Sequence, residues 1–223
     1  MKTKEKPIAD FVAGPRDKAL FFSFEGTEGA GKTTQMRILI ERLRGLGYMV
    51  TENQEPGATR IGGQIRRLLL DPEHQEMTAI TELLLLFASR AQAAAEIIAP
   101  ALERGEIVVS DRFTDSSLAY QGEARQLGFE TVLALHRLAL GALLPDLTLC
   151  ISLDVATGLD RAYRRSLSSD RLDRQSLGFH ESVDRAYRKI AELEPERFRL
   201  IDGGDSPEIV AARIWSQVEP LLK

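Results

Sequence analysis

Cysteine is nearly absent from this chain, whose 223 residues include only Cys150, so a scaffold held by disulfides is excluded. Cys150 lies in the apolar run 147–153, where a free cysteine typically is a small buried core residue, and a reduced thiol fits a cytoplasmic location. Long hydrophobic runs are also missing, since no stretch reaches the roughly 18 uninterrupted apolar residues of a membrane-spanning helix. Basic residues are not in excess: 29 Lys and Arg against 33 Asp and Glu give a net charge of −4. The sequence therefore argues against a membrane protein and against a binder of polymeric nucleic acid.

The composition that remains is that of an ordinary globular protein, with 43% hydrophobic and 28% charged residues. Residues 1–18 mix lysines with acids and prolines and contain no apolar segment, so they lack the pattern of a targeting signal. We interpret residues 1–18 as a mobile N-terminal extension, for which a regulatory or tag-derived role is the alternative. Residues 19–223 are interpreted as a single domain.

Short apolar segments alternate with segments of helical periodicity along this domain. Strands are predicted at 20–25, 48–51, 106–110, 147–153 and 198–201. Helices are predicted at 34–44, 59–70, 78–104 (with a kink at Pro100), 129–143, 155–165, 179–193 and 206–221. This alternation predicts an α/β fold, in which right-handed crossovers build a five-stranded parallel sheet flanked by helices.

The strongest motif is a glycine-rich segment between the first predicted strand and the first helix. It reads Gly26-Thr27-Glu28-Gly29-Ala30-Gly31-Lys32-Thr33, which fits G-x-x-x-x-G-K-[ST], and Thr34 follows it. Glycines let successive backbone N–H groups point at phosphate oxygens, and the helix N-terminus adds partial positive charge. We predict that this loop binds the phosphates of ATP, with Lys32 as a catalytic contact to the β/γ-phosphates and Thr33 as a Mg²⁺ ligand. A tight turn without a ligand is the alternative.

A phosphate-binding loop alone does not distinguish a kinase from a GTPase switch or a mechanical ATPase. The N-K-x-D segment that reads guanine in GTPases is missing, and the chain is short for a motor. These observations favour a kinase that acts on a small molecule.

Two further strand ends carry candidate residues, because ligands of open parallel sheets bind at the carboxyl ends of strands. Asp111 and Arg112 follow the third strand, where the acid can hold Mg²⁺ and the guanidinium can clamp a phosphate; a surface ion pair is the alternative. The segment 54–59 follows the second strand, and a turn with a Thr59 N-cap explains most of it. Glu55 is the residue that the turn leaves unexplained.

Several segments together resemble one family. They read FFSFEGTEGAGKTTQ at 21–35, QEPGAT at 54–59, ELLLLFASRAQ at 82–92, VVSDRFTDSSLAYQG at 108–122, LDVATGLDRAYRR at 153–165 and RLDRQSLGFHESVDRAYRKIAE at 171–192. From about residue 20 to its C-terminus the chain resembles the bacterial thymidylate kinases (dTMP kinases). The resemblance implies a P-loop NTPase of the nucleoside-monophosphate-kinase type that transfers the ATP γ-phosphoryl group to dTMP with Mg²⁺. It also implies a homodimer.

The resemblance further implies which residues bind the acceptor. Glu28 would accept a hydrogen bond from the sugar 3′-OH, and Arg112 would bind the dTMP phosphate with Asp111 near the metal. Ser117 and Arg90 would contact the thymine ring, Tyr120 would crowd the 2′ position, and Gln121 would follow it in the pocket wall. The full implied set is Glu28, Glu55, Arg66, Leu86, Arg90, Arg112, Ser117, Tyr120 and Gln121.

Arginines crowd the stretch between two predicted helices, at Arg161, Arg164, Arg165, Arg171 and Arg174. Together with the serines and glycine beside them they predict a lid at about 164–178 that closes over the transferred phosphoryl group; a solvated basic loop is the alternative. The phosphate-binding loop contains no arginine, so the resemblance is to the subtype whose lid supplies the catalytic one. Arg165 is the first candidate and Arg164 the second.

The chain departs from the family in its acceptor pocket. Family members commonly place a phenylalanine, stacked on thymine, four residues before Arg90, whereas here that position holds Leu86 and the phenylalanine is Phe87. One helical position is a rotation of about 100°, so Phe87 is expected to point elsewhere and Leu86 to supply an apolar floor or a looser pocket. Gln54 and Ala58 also stand where the family commonly has Arg and Gly. Another nucleotide or deoxynucleoside kinase, or a nucleotide-binding protein without turnover, is therefore the alternative function.

Overall fold

A computed structural model describes residues 19–165, 171–172 and 175–222, except for the side chain of Arg165. The predicted extension 1–18 lies outside these residues, as do 166–170 and 173–174 of the predicted lid, with Arg174 among them. Within the described residues the order of elements is strand, helix, strand throughout, as the sequence predicts.

The five strands are β1 (Phe21–Glu25), β2 (Val50–Gln54), β3 (Ile107–Asp111), β4 (Leu147–Ser152) and β5 (Phe198–Asp202). The α-helices are α1 (Lys32–Gly45), α2 (Arg60–Leu70), α3 (Ala79–Ala93), α4 (Ala99–Glu103), α5 (Thr114–Ser117), α6 (Phe129–Leu140), α7 (Val155–Arg165), α8 (Leu177–Leu193) and α9 (Pro207–Val218). Two π-helical segments, Ala94–Ile98 and Leu118–Ala124, join α3 to α4 and extend α5, and a 3₁₀ turn, Glu219–Leu222, follows α9.

The sheet is fully parallel, with strand order β2-β3-β1-β4-β5. This confirms the predicted α/β fold with five parallel strands. Strand β1 lies in the centre and all five of its residues are buried, because helices cover both faces of a parallel sheet. The phosphate-binding loop therefore leaves the sheet at its middle strand.

Alternate side chains of β1 point to opposite faces and separate two hydrophobic cores. Phe22 and Phe24 pack with α1 and α9 on one face. Phe21 packs on the other face with residues of α3, α6 and α8, and Cys150 of β4 joins this core as the predicted buried thiol. Ser23 and Glu25 share the face of Phe21, so polar side chains enter this second core beside the end of β1.

The predicted helix 78–104 is continuous but not uniform. Its α-helical geometry widens to a π-helical segment at Ala94–Ile98, in the turn before Pro100, whose ring has no N–H to donate and would clash with the carbonyl four residues earlier. By length and composition the stretch Ala79–Glu103 would be apolar enough to cross a membrane. Its buried face carries Glu82 and Arg90, and α3 packs against α2 and α6, as expected of a core helix.

Two features of the local structure were not predicted. The helical stretch from Thr114 to Ala124 has no counterpart in the predicted elements, because its polar sequence lacks a helical hydrophobic pattern. His136 on α6 and His180 on α8 are both buried. Burial lowers the pKa of both, that of His136 to about 4, so these rings are neutral at physiological pH.

Candidate active site

The phosphate-binding loop is held against its neighbours by glycines that no other residue could replace. Gly26 has φ +135°, and a Cβ atom there would lie 2.4 Å from the carbonyl oxygen of Ile151. At Gly29, with φ +71°, a Cβ atom would lie 1.8 Å from the carbonyl oxygen of Gly158 in α7. The loop therefore needs glycine both for its left-handed backbone and for close packing.

Lys32 begins α1 and its side chain folds back along the loop. Its Nζ donates hydrogen bonds of 2.9 Å to the carbonyl oxygens of Gly26 and Thr27 and lies 3.8 Å from Glu28 Oε2. Burial lowers the pKa of Lys32, and Arg112 lowers it further, while Glu28 and Asp111 oppose the change. Two backbone carbonyls of the loop thus position the ammonium group of Lys32.

Arg112 joins the phosphate-binding loop to the end of β3. Its Nη2 donates to Glu28 Oε1 at 3.0 Å and Oε2 at 3.2 Å, and to the Tyr120 hydroxyl at 3.2 Å. The Tyr120 hydroxyl in turn donates to Glu28 Oε1 at 2.9 Å. Burial alone would raise the pKa of Glu28, but Arg112, Lys32 and the Tyr120 hydrogen bond outweigh it and lower that pKa to about 2. Glu28 is therefore ionised throughout the physiological range.

Asp111, the last residue of β3, offers an oxygen to a ligand. Its Oδ1 is buried and has no hydrogen-bond partner among the described residues. It lines the same cavity as Lys32 and Thr33. A buried carboxylate oxygen without a donor, in the same cavity as a threonine, fits Mg²⁺, which takes few protein ligands and prefers oxygen. The described residues contain no group of three or more His, Cys, Asp or Glu side chains that could hold a metal, so such a site would rely on these two and on phosphate oxygens.

A buried ion pair forms the opposite wall. Arg90 Nε donates to Glu55 Oε2 at 2.5 Å, while its Nη1 donates to the Ser117 hydroxyl at 3.1 Å and its Nη2 to the Phe113 carbonyl at 3.0 Å. Burial raises the pKa of Glu55, and Arg90 opposes that rise. Glu55, which the turn at 54–59 did not explain, is the partner of the arginine on α3.

These elements enclose a cavity of about 210 Å³ between the phosphate-binding loop and the ends of β2 and β3. All nine predicted acceptor-binding residues line it: Glu28, Glu55, Arg66, Leu86, Arg90, Arg112, Ser117, Tyr120 and Gln121. Of the predicted ATP-binding residues Glu28, Gly29, Gly31, Lys32 and Thr33 line it, whereas Gly26, Thr27, Ala30 and Thr34 belong to the loop and helix behind it. The fold thus brings the predicted donor and acceptor residues into one site.

Comparison with known proteins identifies the family. The family model described as thymidylate kinase matches residues 24–214, which is most of the chain. The chain belongs to the thymidylate kinase family. Thymidylate kinases of Pelobacter propionicus and of a Synechococcus species are 45% and 47% identical to it, over 89% and 91% of this chain and 93% and 97% of theirs. The crystal structure of thymidylate kinase from Ehrlichia chaffeensis superposes with a TM-score of 0.75 at 29% identity, covering 91% of this chain and 99% of that one. The chain is accordingly a nucleoside monophosphate kinase, a phosphotransferase.

The cavity of this thymidylate kinase family member has an aliphatic floor. Leu86 lines the cavity with Leu70 and Leu172, whereas Phe87 is 2% exposed in the core. The Phe87 ring packs 4.7 Å from the guanidinium carbon of Arg90. The Phe87 side chain therefore packs against Arg90 in the core and does not line the cavity.

The predicted lid arginines have different surroundings. Arg171 is buried, and it donates to Glu82 Oε2 at 2.5 Å and to the Leu69 carbonyl at 2.9 Å. Arg164 is exposed and pairs with Asp160 at 2.9 Å, one helical turn earlier. The side chain of Arg165 and all of Arg174 lie outside the described residues. Arg171 is therefore engaged in packing α3 against the segment before α8.

Sequence reasoning missed three residues that organise the site. Glu82 accepts hydrogen bonds from Gln121, Arg125 and Arg171, so it joins the cavity-lining Gln121 to the segment before α8. Glu25 and Tyr187 lie behind Arg112. An acid at the end of the apolar segment FFSFE was a signal for Glu25, but a tyrosine on an amphipathic helix gave none for Tyr187.

Proposed function

We propose that the protein transfers the γ-phosphoryl group of ATP to dTMP, giving dTDP and ADP. The observation that carries this proposal is the contact of Arg112 with Glu28, because Arg112, which we propose binds the acceptor phosphate, then lies directly beside the loop proposed to bind the donor phosphates. In-line phosphoryl transfer needs the two phosphates side by side, and little else from the protein beyond positioning and charge.

On the donor side, the loop N–H groups and Lys32 would hold the phosphates of ATP. Thr33 and the unpartnered oxygen of Asp111 would hold Mg²⁺, which when bound neutralises the charge of the phosphates. Lys32, already directed along the loop by its two backbone bonds, would contact the β/γ-phosphates at little cost in reorganisation.

On the acceptor side, Arg112 would exchange its contact with Glu28 for the dTMP phosphate, and the ionised Glu28 would accept a hydrogen bond from the 3′-OH. Arg90 and Ser117, fixed to each other, would contact the thymine ring. Tyr120 would crowd the 2′ position, with Gln121 and Arg66 completing the wall and Leu86 the floor. The transition-state arginine would be Arg165, with Arg164 as the second candidate.

The test is an assay of ADP release with dTMP, dUMP, dGMP and thymidine as acceptors. We expect turnover with dTMP and much less with dGMP and thymidine. Activity only on an acceptor without thymine would instead assign another nucleotide or deoxynucleoside kinase. ATP binding without transfer to any acceptor would assign a nucleotide-binding protein without turnover.

We also propose that the protein is a cytoplasmic homodimer. Helices α2, α3 and α6 pack side by side and carry exposed apolar residues, namely Ile61, Leu68, Ile80, Leu84 and Leu138. We propose that a second copy of the chain covers these exposed apolar residues, because the family resemblance implies a homodimer. Light scattering should give twice the chain mass for the wild type and a single chain mass for Leu138→Glu; a monomeric wild type would contradict the dimer.

A further inference from the structure

Glu25 is a fully buried carboxylate to which the proposed reaction assigns no part. It ends β1, immediately before the phosphate-binding loop, and is 0% exposed. Its Oε1 accepts from the Phe113 backbone N–H at 2.7 Å and from the Ser23 hydroxyl at 3.1 Å. Its Oε2 accepts from the Ser116 hydroxyl at 2.5 Å and the Tyr187 hydroxyl at 3.0 Å. A buried carboxylate is costly, so four converging donors call for an explanation.

These bonds hold the guanidinium of Arg112. Arg112 Nη1 donates to the Ser116 hydroxyl at 3.1 Å and, over a longer 3.5 Å, to the Tyr187 hydroxyl. Each hydroxyl has a single proton, so both can accept from Arg112 and donate to Glu25 Oε2 at the same time only while that oxygen carries no proton. Ionised Glu25 thus accepts the last hydrogen bond of two short hydrogen-bond series that start at Arg112, one through Ser116 and one through Tyr187.

Glu25 also holds the backbone of Arg112. Arg112 has φ +71°, a left-handed conformation that a non-glycine residue adopts only when its surroundings impose it. The bond from the Phe113 N–H to Glu25 Oε1 fixes the peptide that follows Arg112. One carboxylate therefore restrains this arginine at its peptide and at its guanidinium.

The two carboxylates around Arg112 differ in their access to the cavity. Glu28 lines the cavity and holds Nη2, so an entering phosphate would displace it. Glu25 does not line the cavity, and it reaches Nη1 from behind through the two hydroxyls. Its hold on Arg112 would persist when the acceptor phosphate is bound.

We propose that Glu25 is a positioning residue, which acts through Ser116, Tyr187 and the Phe113 N–H to keep Arg112 oriented for the acceptor phosphate. This inference rests on the proposed function, since the acceptor phosphate is the group that Arg112 would bind. Glu25 does not line the cavity, and its hydrogen bonds lead through Ser116 and Tyr187 to Arg112. We therefore expect its effect to fall on acceptor binding and to leave ATP binding unchanged.

The ionisation of Glu25 gives this role a pH dependence. Burial, and after it the charge of Asp115, raise the pKa of Glu25 to about 7, against the opposing effects of Arg112 and of the bonds from Ser116 and Phe113. The other titratable or charged groups that face it are Tyr187 from α8, Cys150 from β4, Lys32 from α1 and Arg197 before β5. As the pH falls through 7, Glu25 gains a proton and one hydroxyl loses its acceptor.

The first experiment measures KM for dTMP and for ATP between about pH 6 and pH 8.5 in the full chain and in Glu25→Gln. At pH 8 the variant should have a KM for dTMP about tenfold higher than the wild type, with KM for ATP unchanged. Toward pH 6 the wild-type value should approach that of the variant. The dTMP phosphate titrates in both proteins alike, so the ratio of the two KM values isolates Glu25.

The second experiment compares the binding of dTMP and of thymidine by calorimetry. Glu25→Gln should lose about tenfold in affinity for dTMP and nothing for thymidine, which has no phosphate for Arg112. Ser116→Ala and Tyr187→Phe, which each remove one hydroxyl, should have smaller losses for dTMP. Val183→Ala, a buried residue on α8 one turn before Tyr187 without a polar link to Arg112, is the control.

Different results would contradict the positioning role of Glu25 and the proposed kinase function. If Glu25→Gln does not fold, the two hydroxyl variants carry the test. A pH-independent KM ratio, equal losses for dTMP and thymidine, or a Val183→Ala effect equal to those of the hydroxyl variants would overturn the positioning role. A wild type that does not phosphorylate dTMP would contradict the proposed function instead.

Discussion

The guanidinium of Arg112 lies against the carboxylate of Glu28, with Nη2 3.0 Å from Oε1 and 3.2 Å from Oε2. The two residues are 84 positions apart and come from the end of β3 and from the phosphate-binding loop. Their pairing keeps both charges compensated in a site where burial would otherwise make each costly. Under the proposed function, the same pairing holds the guanidinium where the acceptor phosphate would replace the carboxylate.

Arg112→Lys is expected to raise KM for dTMP by about two orders of magnitude. Lysine keeps the positive charge but loses the planar fork that binds Glu28, Tyr120 and a phosphate together. Steady-state kinetics check this, with Arg137→Lys on the exposed side of α6 as the control. An unchanged KM for dTMP in Arg112→Lys would assign the acceptor phosphate to another residue.

Leu86→Phe is expected to lower KM for dTMP by about tenfold. A phenylalanine on the cavity floor can stack on the base, and such stacking contributes ~1–3 kcal/mol. The acceptor panel on wild type and variant measures the change, and the gain should be larger for dTMP than for dGMP. Leu193→Phe, at an exposed position of α8 that does not line the cavity, is the matched control. A rise in KM for dTMP would instead indicate that the base lies directly against Leu86, so that the larger phenylalanine side chain clashes with it.

Arg165→Ala is expected to reduce turnover by at least ~10²-fold, in line with the removal of other transition-state donors. Arg164→Ala should have a smaller effect, because Arg164 pairs with Asp160 on its own helix. Single-turnover measurements at saturating ATP and dTMP distinguish the chemical step from binding. Near-normal turnover in Arg165→Ala, with a deficit in Arg164→Ala, would move the role to Arg164.

Glu82→Gln is expected to lower the free energy of unfolding by about 3 kcal/mol, because it leaves the buried Arg171 without its charge partner. Gln121 and Arg125 also lose an anionic acceptor, so KM for dTMP should rise modestly. Urea denaturation measures the stability. Glu130→Gln, at an exposed position of α6, should stay within ~0.5 kcal/mol of the wild type. Equal stabilities for the two variants would contradict a stabilising role for the ion pair between Glu82 and Arg171.

The sequence was sufficient for the features that depend on local pattern. Strand–helix alternation predicted the parallel sheet, and the glycine-rich loop and the Asp111-Arg112 pair predicted the two halves of the cavity. The place of Leu86 followed from counting residues on one helix. The sequence alone could not reveal contacts between distant segments. Tyr187 donates a hydrogen bond to Glu25 across 162 positions, and Arg171 donates one to Glu82 across 89. No periodicity distinguishes these buried partners from solvated charges or from apolar core, and the burial of His180 escaped for the same reason.

The stability of the wild type relative to Glu25→Gln should fall as the pH rises. The pKa of Glu25 is raised from 4.5 to about 7 in the folded state, so between these values the folded protein binds a proton that the unfolded chain has released. Folding stability then decreases with pH in this window, and from pH 5 to pH 8 the wild type should lose about 2.5 kcal/mol relative to the variant. Urea denaturation of both proteins across that range measures the difference. A constant difference would mean that Glu25 does not titrate there, and the acceptor KM would then lose its expected pH dependence as well.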